Sequence, residues 1–161
     1  MTPNDEWLAL ATPDDATFFN AVANHRDIRD AVAGPLAGNL DLTPLLCDPK
    51  IHCLLGKYGF SIFRRYAQFL WEWHCATLPE ATGRWRLGAG RASLDYLFSH
   101  TDAVAAVAAI PQPNKGARVL VGALNFKLCN VLPAAWPLPG GNAVPLHVYA
   151  MMREDWGLRC Q

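Results

Sequence analysis

Glu72 and His74 stand two residues apart in the strand-like run Phe69-Leu70-Trp71-Glu72-Trp73-His74, so a pleated backbone sends both side chains to one face. A carboxylate and an imidazole so placed can take a proton, directly or through water. Leu70, Ala76 and Leu78 share that face, and an acid among apolar neighbours is expected to have a raised pKa, which suits a base. Trp71 and Trp73 project to the opposite face and read as core. The next stretch, Cys75-Ala76-Thr77-Leu78-Pro79-Glu80-Ala81-Thr82-Gly83-Arg84, carries the chain through a Gly/Arg loop into a helix. First-turn N–H groups lack intrahelical partners and the helix dipole favours negative charge, so this is a place to hold an anion. The neighbours His52-Cys53 and His74-Cys75 alternate between faces, which argues against a Cys/His nucleophilic pair.

The elements that position these residues follow from periodicity. Trp7 to Ala11 is a short candidate first strand. Thr12-Pro13-Asp14-Asp15 is a helix start, and Phe18, Phe19, Val22 and Ala23 recur at helical spacing behind it. That helix breaks near Asn24-His25 and resumes across Ile28 to Ala33, before a loop marked by Gly34-Pro35 and Gly38-Asn39. Ile51 to Lys57, Phe60 to Tyr66 and Phe69 to Leu78 read as three strands joined by turns at Tyr58-Gly59 and Ala67-Gln68. Helices are expected over Trp85 to Phe98 and from Pro113-Asn114 to Leu124, separated by a strand from Ala103 to Ile110. A helical crossover makes its flanking strands parallel. Lys127 to Leu132 is a strand, Pro133 to Gly141 a loop, and Val144 to Met152 a final strand.

The chain has 161 residues, 52% hydrophobic and 17% charged, enough for one globular domain over 1–161. With 14 basic and 14 acidic side chains, it has neither the basic excess nor the basic tail that nucleic acid or an anionic membrane would require. Five scattered cysteines, Cys47, Cys53, Cys75, Cys129 and Cys160, show no C-x-x-C spacing and read as reduced thiols, with no metal site. The polar, acidic start from Met1 to Glu6 is not a signal peptide, and no apolar run reaches membrane-span length, so a soluble, cytoplasmic protein is expected.

The order of elements and two motifs resemble the GNAT superfamily of acyl-CoA-dependent N-acyltransferases, over roughly Phe18 to Leu128. Thr82-Gly83-Arg84-Trp85-Arg86-Leu87 falls where the family has Gln/Arg-x-x-Gly-x-Gly/Ala, with Thr82 for Gln/Arg, Trp85 for the first Gly and Leu87 for the last. A shifted alternative is Arg84-x-x-x-Gly88-x-Gly90. Asn114-x-x-Ala117-x-x-Leu120 and the ending Asn125-Phe126 follow a second family pattern, with Val121 at the position of the family's tyrosine. Phe18-Phe19-Asn20, Asn24-His25-x-x-Ile28-Arg29, Leu40 to Leu45 and Leu78-Pro79-Glu80 are similar to a subgroup common in phages and prophages.

The resemblance implies an α+β fold: a twisted mixed sheet flanked by helices on both faces, its fourth strand splayed from the fifth. It implies acetyl-CoA as co-substrate, its pantetheine held by main chain at Cys75, Ala76 and Thr77 and by Asn114, its pyrophosphate by Thr82 to Leu87. Trp85 would block the phosphates or swing onto the adenine, with Arg84 and Arg86 supplying charge. The implied reaction is direct attack of a primary amine, small molecule or protein, on the thioester in a ternary complex, with Glu72 or His74 as base. His25, Arg26 and Arg29 fall where the family lines its acceptor site; His25 and Arg29 could recognise a substrate carboxylate. The family's last strands commonly pair, which suggests a homodimer. The alternative is a degenerate member serving as a structural or interaction protein, such as a virion component, with the 133–141 loop and exposed tryptophans as its interface.

Overall fold

Tight turns at Lys57-Tyr58 and Gln68-Phe69 fold the middle of the chain into an antiparallel meander of three strands. They are β2 (Ile51–Gly56), β3 (Gly59–Ala67) and β4 (Leu70–Thr77). Phe69 closes the second turn at φ 63°. The structure is a computed structural model that describes residues 8–34 and 38–157. The expected first strand survives there as β1 (Ala9–Leu10), paired antiparallel with β2, while Trp7, Pro35 and Cys160 lie outside the described residues.

A helix, α4 (Gly83–His100), crosses over to β5 (Ala105–Pro111), which lies parallel to β4. A second helix, α5 (Lys115–Ala123), leads to β6 (Lys127–Pro137) and β7 (Ala143–Met152). The seven strands form one mixed sheet in the order β1-β2-β3-β4-β5-β7-β6, the α+β architecture expected from the sequence. Asn125, at φ 61°, ends α5 in the left-handed region that asparagine tolerates next after glycine.

Each face of the sheet carries its own core. On one side, α1 (Ala16–Ala23), α2 (Arg29–Ala33) and α3 (Thr43–Leu46) pack over β2 to β4, with Phe19 stacked on Phe60 at 4.5 Å. The spacing of Phe19, Val22 and Ala23 puts all three on the buried stripe of α1. On the other side, α4, α5 and α6 (Arg153–Gly157) cover Trp71 and Trp73 of β4, both nearly inaccessible. Two buried hydroxyls fix α4 in place. Ser93 donates to Ala89 O at 2.8 Å, so the Ser61 hydroxyl donates to Ser93 Oγ at 2.8 Å and accepts from Trp73 Nε1 at 3.2 Å. No donor in that chain is left over, which is why it is tolerated in the core.

Two expectations need correction, and one helix is new. Pro133 to Gly141 is not all loop, because β6 continues to Pro137. A register shift between Leu132 and Trp136, with Ala134 at φ 48°, absorbs the prolines on an edge strand where no outer ladder needs their N–H. The short helix α3 falls within a segment read only as a resemblance. Its first turn holds Pro44, and Asp41 accepts from both the N–H and the hydroxyl of Thr43. Among the described residues the tryptophans offer no exposed interface either: Trp71, Trp73, Trp85 and Trp156 are buried and Trp136 is half-buried.

Gly59 tests the meander. A Cβ there would stand 2.1 Å from the carbonyl oxygen of Ala76. Gly59→Ala is expected to cost about 3 kcal/mol, read as a lower midpoint in urea unfolding. Gly122→Ala, where a Cβ meets nothing within 4 Å on a helix, is the control and should be neutral or stabilising.

Candidate active site

The parallel ladder between β4 and β5 has three rungs, Leu70 with Ala105, Trp71 with Ala106 and Glu72 with Val107. Beyond them the strands keep only their antiparallel partners. β4 stays with β3 as far as Thr77, and β5 stays with β7 as far as Pro111. The sheet therefore opens between Trp73–Thr77 and Ala108–Pro111, the splay that the resemblance implies.

A narrow crevice lies beside this opening. Trp73, Cys75 and Thr77 line it from β4, Arg86 and Gly90 from α4, and Leu120 from α5. Alternation turns Cys75 and Thr77 toward the crevice and Ala76 into the core under α1. Gly90 lies close under Leu124: a Cβ there would stand 2.8 Å from Leu124 Cδ1 and would push that side-chain end aside.

The N-terminus of α4 opens at the same place. Thr82 caps it, accepting from the Trp85 N–H at 3.1 Å, and Gly83 and Arg84 are exposed in its first turn. The Trp85 indole neither blocks this end nor swings outward. It is buried against Ala81, Ala89 and Tyr58, meeting the Tyr58 ring edge-on at 5.3 Å. Leu87 packs toward the helix-side core. Arg86 is partly committed, since Nη2 donates to the carbonyls of Leu78 and Pro79 at 3.3 and 3.4 Å. Its Nε is buried without a hydrogen-bond partner. An orphaned cationic donor beside a helix start fits an anionic ligand such as a pyrophosphate. Asn114 caps α5, its Oδ1 accepting from the Ala117 N–H at 3.1 Å. Val121 is buried in the helix-side core, so that position supplies no acid.

On the opposite face, Glu72 and His74 are in contact. His74 Nε2 lies 3.1 Å from Glu72 Oε2, and Arg64, cross-strand from Glu72 on β3, donates to the same oxygen at 2.6 Å. The raised pKa expected for Glu72 is overturned. The hydrogen bond from His74 outweighs burial and, with Arg64, takes the carboxyl down from 4.5 to about 2. Arg64 was missed in the sequence: a straight count from Ala67 opposite Leu70 pairs Arg65 with Glu72, and only the register shift between Arg65 and Ala67 brings Arg64 opposite it.

The hydrogen bonds of His25 and Arg29 run to the chain around α2. His25 Nδ1 accepts from the Asp27 N–H at 3.3 Å in the turn before α2. Arg29 donates to the carbonyls of Gly34 and Gly38, which commits its guanidinium to the chain beyond α2. Arg26 is 89% exposed and close to Asp27. Burial pushes the Cys53 thiol up to about 11, away from the thiolate form that a nucleophile uses. No helix among the described residues is long and apolar enough to cross a membrane.

No family model matches the chain, and no curated protein matches it significantly by sequence. Solved structures do match its fold. Spermidine N-acetyltransferase from Vibrio cholerae, solved in complex with CoA and spermine, is 16% identical at a TM-score of 0.78, over 93% of this chain and 98% of that one. A GNAT-family acetyltransferase from Bacillus anthracis is 14% identical at 0.74, over 92% and 96%. Ribosomal-protein-S5-alanine acetyltransferase from Vibrio fischeri is 14% identical at 0.72, over 92% and 93%. The fold is that of the GNAT acetyltransferases.

The Glu72 carboxyl gives a stability test. Its folded pKa is depressed, so its stabilisation is complete above about 4.5 and is lost as pH falls toward 2. Glu72→Gln should flatten the stability-versus-pH curve in that window, measured by urea unfolding at stepped pH. An unchanged slope would remove the Arg64–Glu72–His74 interaction. Asn114→Ala should cost about 1 kcal/mol as a lost cap. If CoA affinity falls as well, by more than stability explains, Asn114 also contacts the cofactor.

Proposed function

We propose that the protein transfers an acetyl group from acetyl-CoA to a primary amine by direct attack in a ternary complex. The observation that carries this reading is the three-rung β4–β5 ladder. It leaves β4 and β5 unpaired with each other beside the α4 N-terminus and sets Glu72 at the last rung, with His74 two residues beyond, on the face opposite the crevice. The pantetheine arm would take the place of the missing strand against Trp73–Thr77. The pyrophosphate would meet the first turn of α4, with Arg86 as the nearby cation. Acetyl-CoA supplies the activated thioester, and the protein aligns it and manages one proton.

A carboxyl held at about 2 is too weak a base for an ammonium ion. Glu72 is therefore assigned to orientation, accepting from His74 Nε2–H and leaving Nδ1 to take the proton, directly or through a water. The amine lone pair then forms the C–N bond, the thioester C–S bond breaks, and the CoA thiolate is protonated by solvent. Arg64 fixes the carboxylate from the other side. The acyl acceptor and its class of amine belong to the half of the sheet beyond Glu72.

Titration of acetyl-CoA into the purified protein tests this reading. Micromolar affinity is expected, with stabilisation of about 3 kcal/mol at a hundredfold excess over Kd. His74→Ala should lower kcat by about 100-fold or more with acetyl-CoA affinity intact. Glu72→Gln should lower it less. Failure of acetyl-CoA to bind at millimolar concentration would overturn the transferase reading.

A further inference from the structure

The chain enters β1 from the end of the sheet where β4 hands over to α4. Leu8 precedes Ala9, which pairs with Leu55, and β2 then turns into β3 at Lys57-Tyr58. Leu8 packs on the cluster of Ala81, Trp85 and Ala89 and lines the crevice beside Arg86. Ala81 and Trp85 bracket Thr82, Gly83 and Arg84, which are the cap and the first residues of α4. Residues 1–7 therefore join the structure at the α4 N-terminus. Asp5 and Glu6 stand shortly before Leu8 in the chain, and three residues of extended chain cover about 10 Å.

The charges on the two sides are complementary. Residues 1–7 carry these two acids and no lysine or arginine. The first turn of α4 holds no acid, Gly83 and Arg84 are exposed in it, and Arg86 Nε is buried without a hydrogen-bond partner. Lys57 adds a further cation, its Nζ 5.0 Å from the Tyr58 ring that meets Trp85 edge-on. Glu80, two residues before the cap, offsets one of these three cations. The turn thus presents N–H donors and surplus positive charge to the nearest anion. Carboxylates tethered within reach act at a high effective concentration, against which a free ligand must compete.

Building on the transferase reading, we infer that the N-terminal segment regulates the cofactor site: the Asp5 and Glu6 carboxylates occupy the first turn of α4 in the unliganded protein and give way to the phosphates of acetyl-CoA. Both need the same donors, the Gly83 and Arg84 N–H groups and the Arg86 guanidinium, so the two occupancies exclude each other. The apparent affinity for acetyl-CoA is then the intrinsic affinity multiplied by the fraction of molecules whose turn is free.

The test compares the parent protein with the double variant Asp5→Asn/Glu6→Gln. Calorimetric titration of acetyl-CoA at low salt should show Kd lower in the variant by about threefold or more. The difference should shrink at about 0.5 M salt, where exposed charges are screened beyond a few ångströms. Asp14→Asn, which removes an acid from the far end of β1, should leave Kd within about twofold of the parent value. Without ligand, the double substitution should move the backbone amide resonances of Gly83 and Arg84. Equal or weaker affinity in the variant, a comparable gain from Asp14→Asn, or unmoved Gly83 and Arg84 amides would each overturn the proposal. If neither protein binds acetyl-CoA at millimolar concentration, the transferase reading fails and the proposal falls with it; equal binding by both removes the competition alone.

Discussion

Parallel pairing between β4 and β5 ends at Glu72 and Val107, and the site depends on where it ends. Each strand holds a longer antiparallel ladder on its other side, with β3 and with β7. Antiparallel ladders are slightly the more stable per residue, and strands twist with their partners. Two such units, joined by only three rungs, diverge. Trp73 supports the divergence from below, stacked between Phe63 at 6.3 Å and Phe126 at 5.6 Å. The hydroxyl chain through Ser61 and Ser93 then ties α4 to the β3–β4 side of the gap. An opening made this way comes from the ladders themselves and needs no loop to order before a ligand enters.

The two faces of the opening have different electrostatics. Toward the helices lie a capped helix start and a guanidinium with an unsatisfied donor, a setting for anions. Toward α1 lies a carboxylate held between two donors, whose ionisation is settled over most of the pH range. Such a carboxylate orients a neighbour well because it accepts hydrogen bonds in every working state. Division of labour between the faces follows from strand alternation: Glu72 and His74 point one way, Trp73 and Cys75 the other.

Much of this could be read from the sequence, for identifiable reasons. Period-two patterning over Ile51 to Thr77 and turn residues between the strands gave the meander; the helical stripes of α4 and α5 gave the crossovers. Asn125 was readable as a left-handed helix stop. What could not be read involves partners distant in the chain. Glu72 among apolar neighbours suggests a raised pKa until Arg64 and His74 are seen to contact it. Arg29 looks available until it is found bonded to Gly34 and Gly38. Trp85 looks obstructive in a phosphate loop, yet helical geometry turns it beneath the loop onto Tyr58. Prolines 133 and 137 signal a loop locally, but an edge strand tolerates them.

The formal charge of zero conceals an uneven distribution along the chain. Lys115, Arg118, Lys127 and Arg153 are the charged residues between Ala103 and Arg153, whereas the acids lie before Ala103 or in Glu154 and Asp155. The acid-free stretch that makes up β5, α5, β6 and β7 thus carries only positive charge, and its field reaches about one Debye length, about 10 Å at 0.1 M salt. Attraction of an anion to that half of the sheet weakens as ionic strength rises, although the protein's net charge is nil.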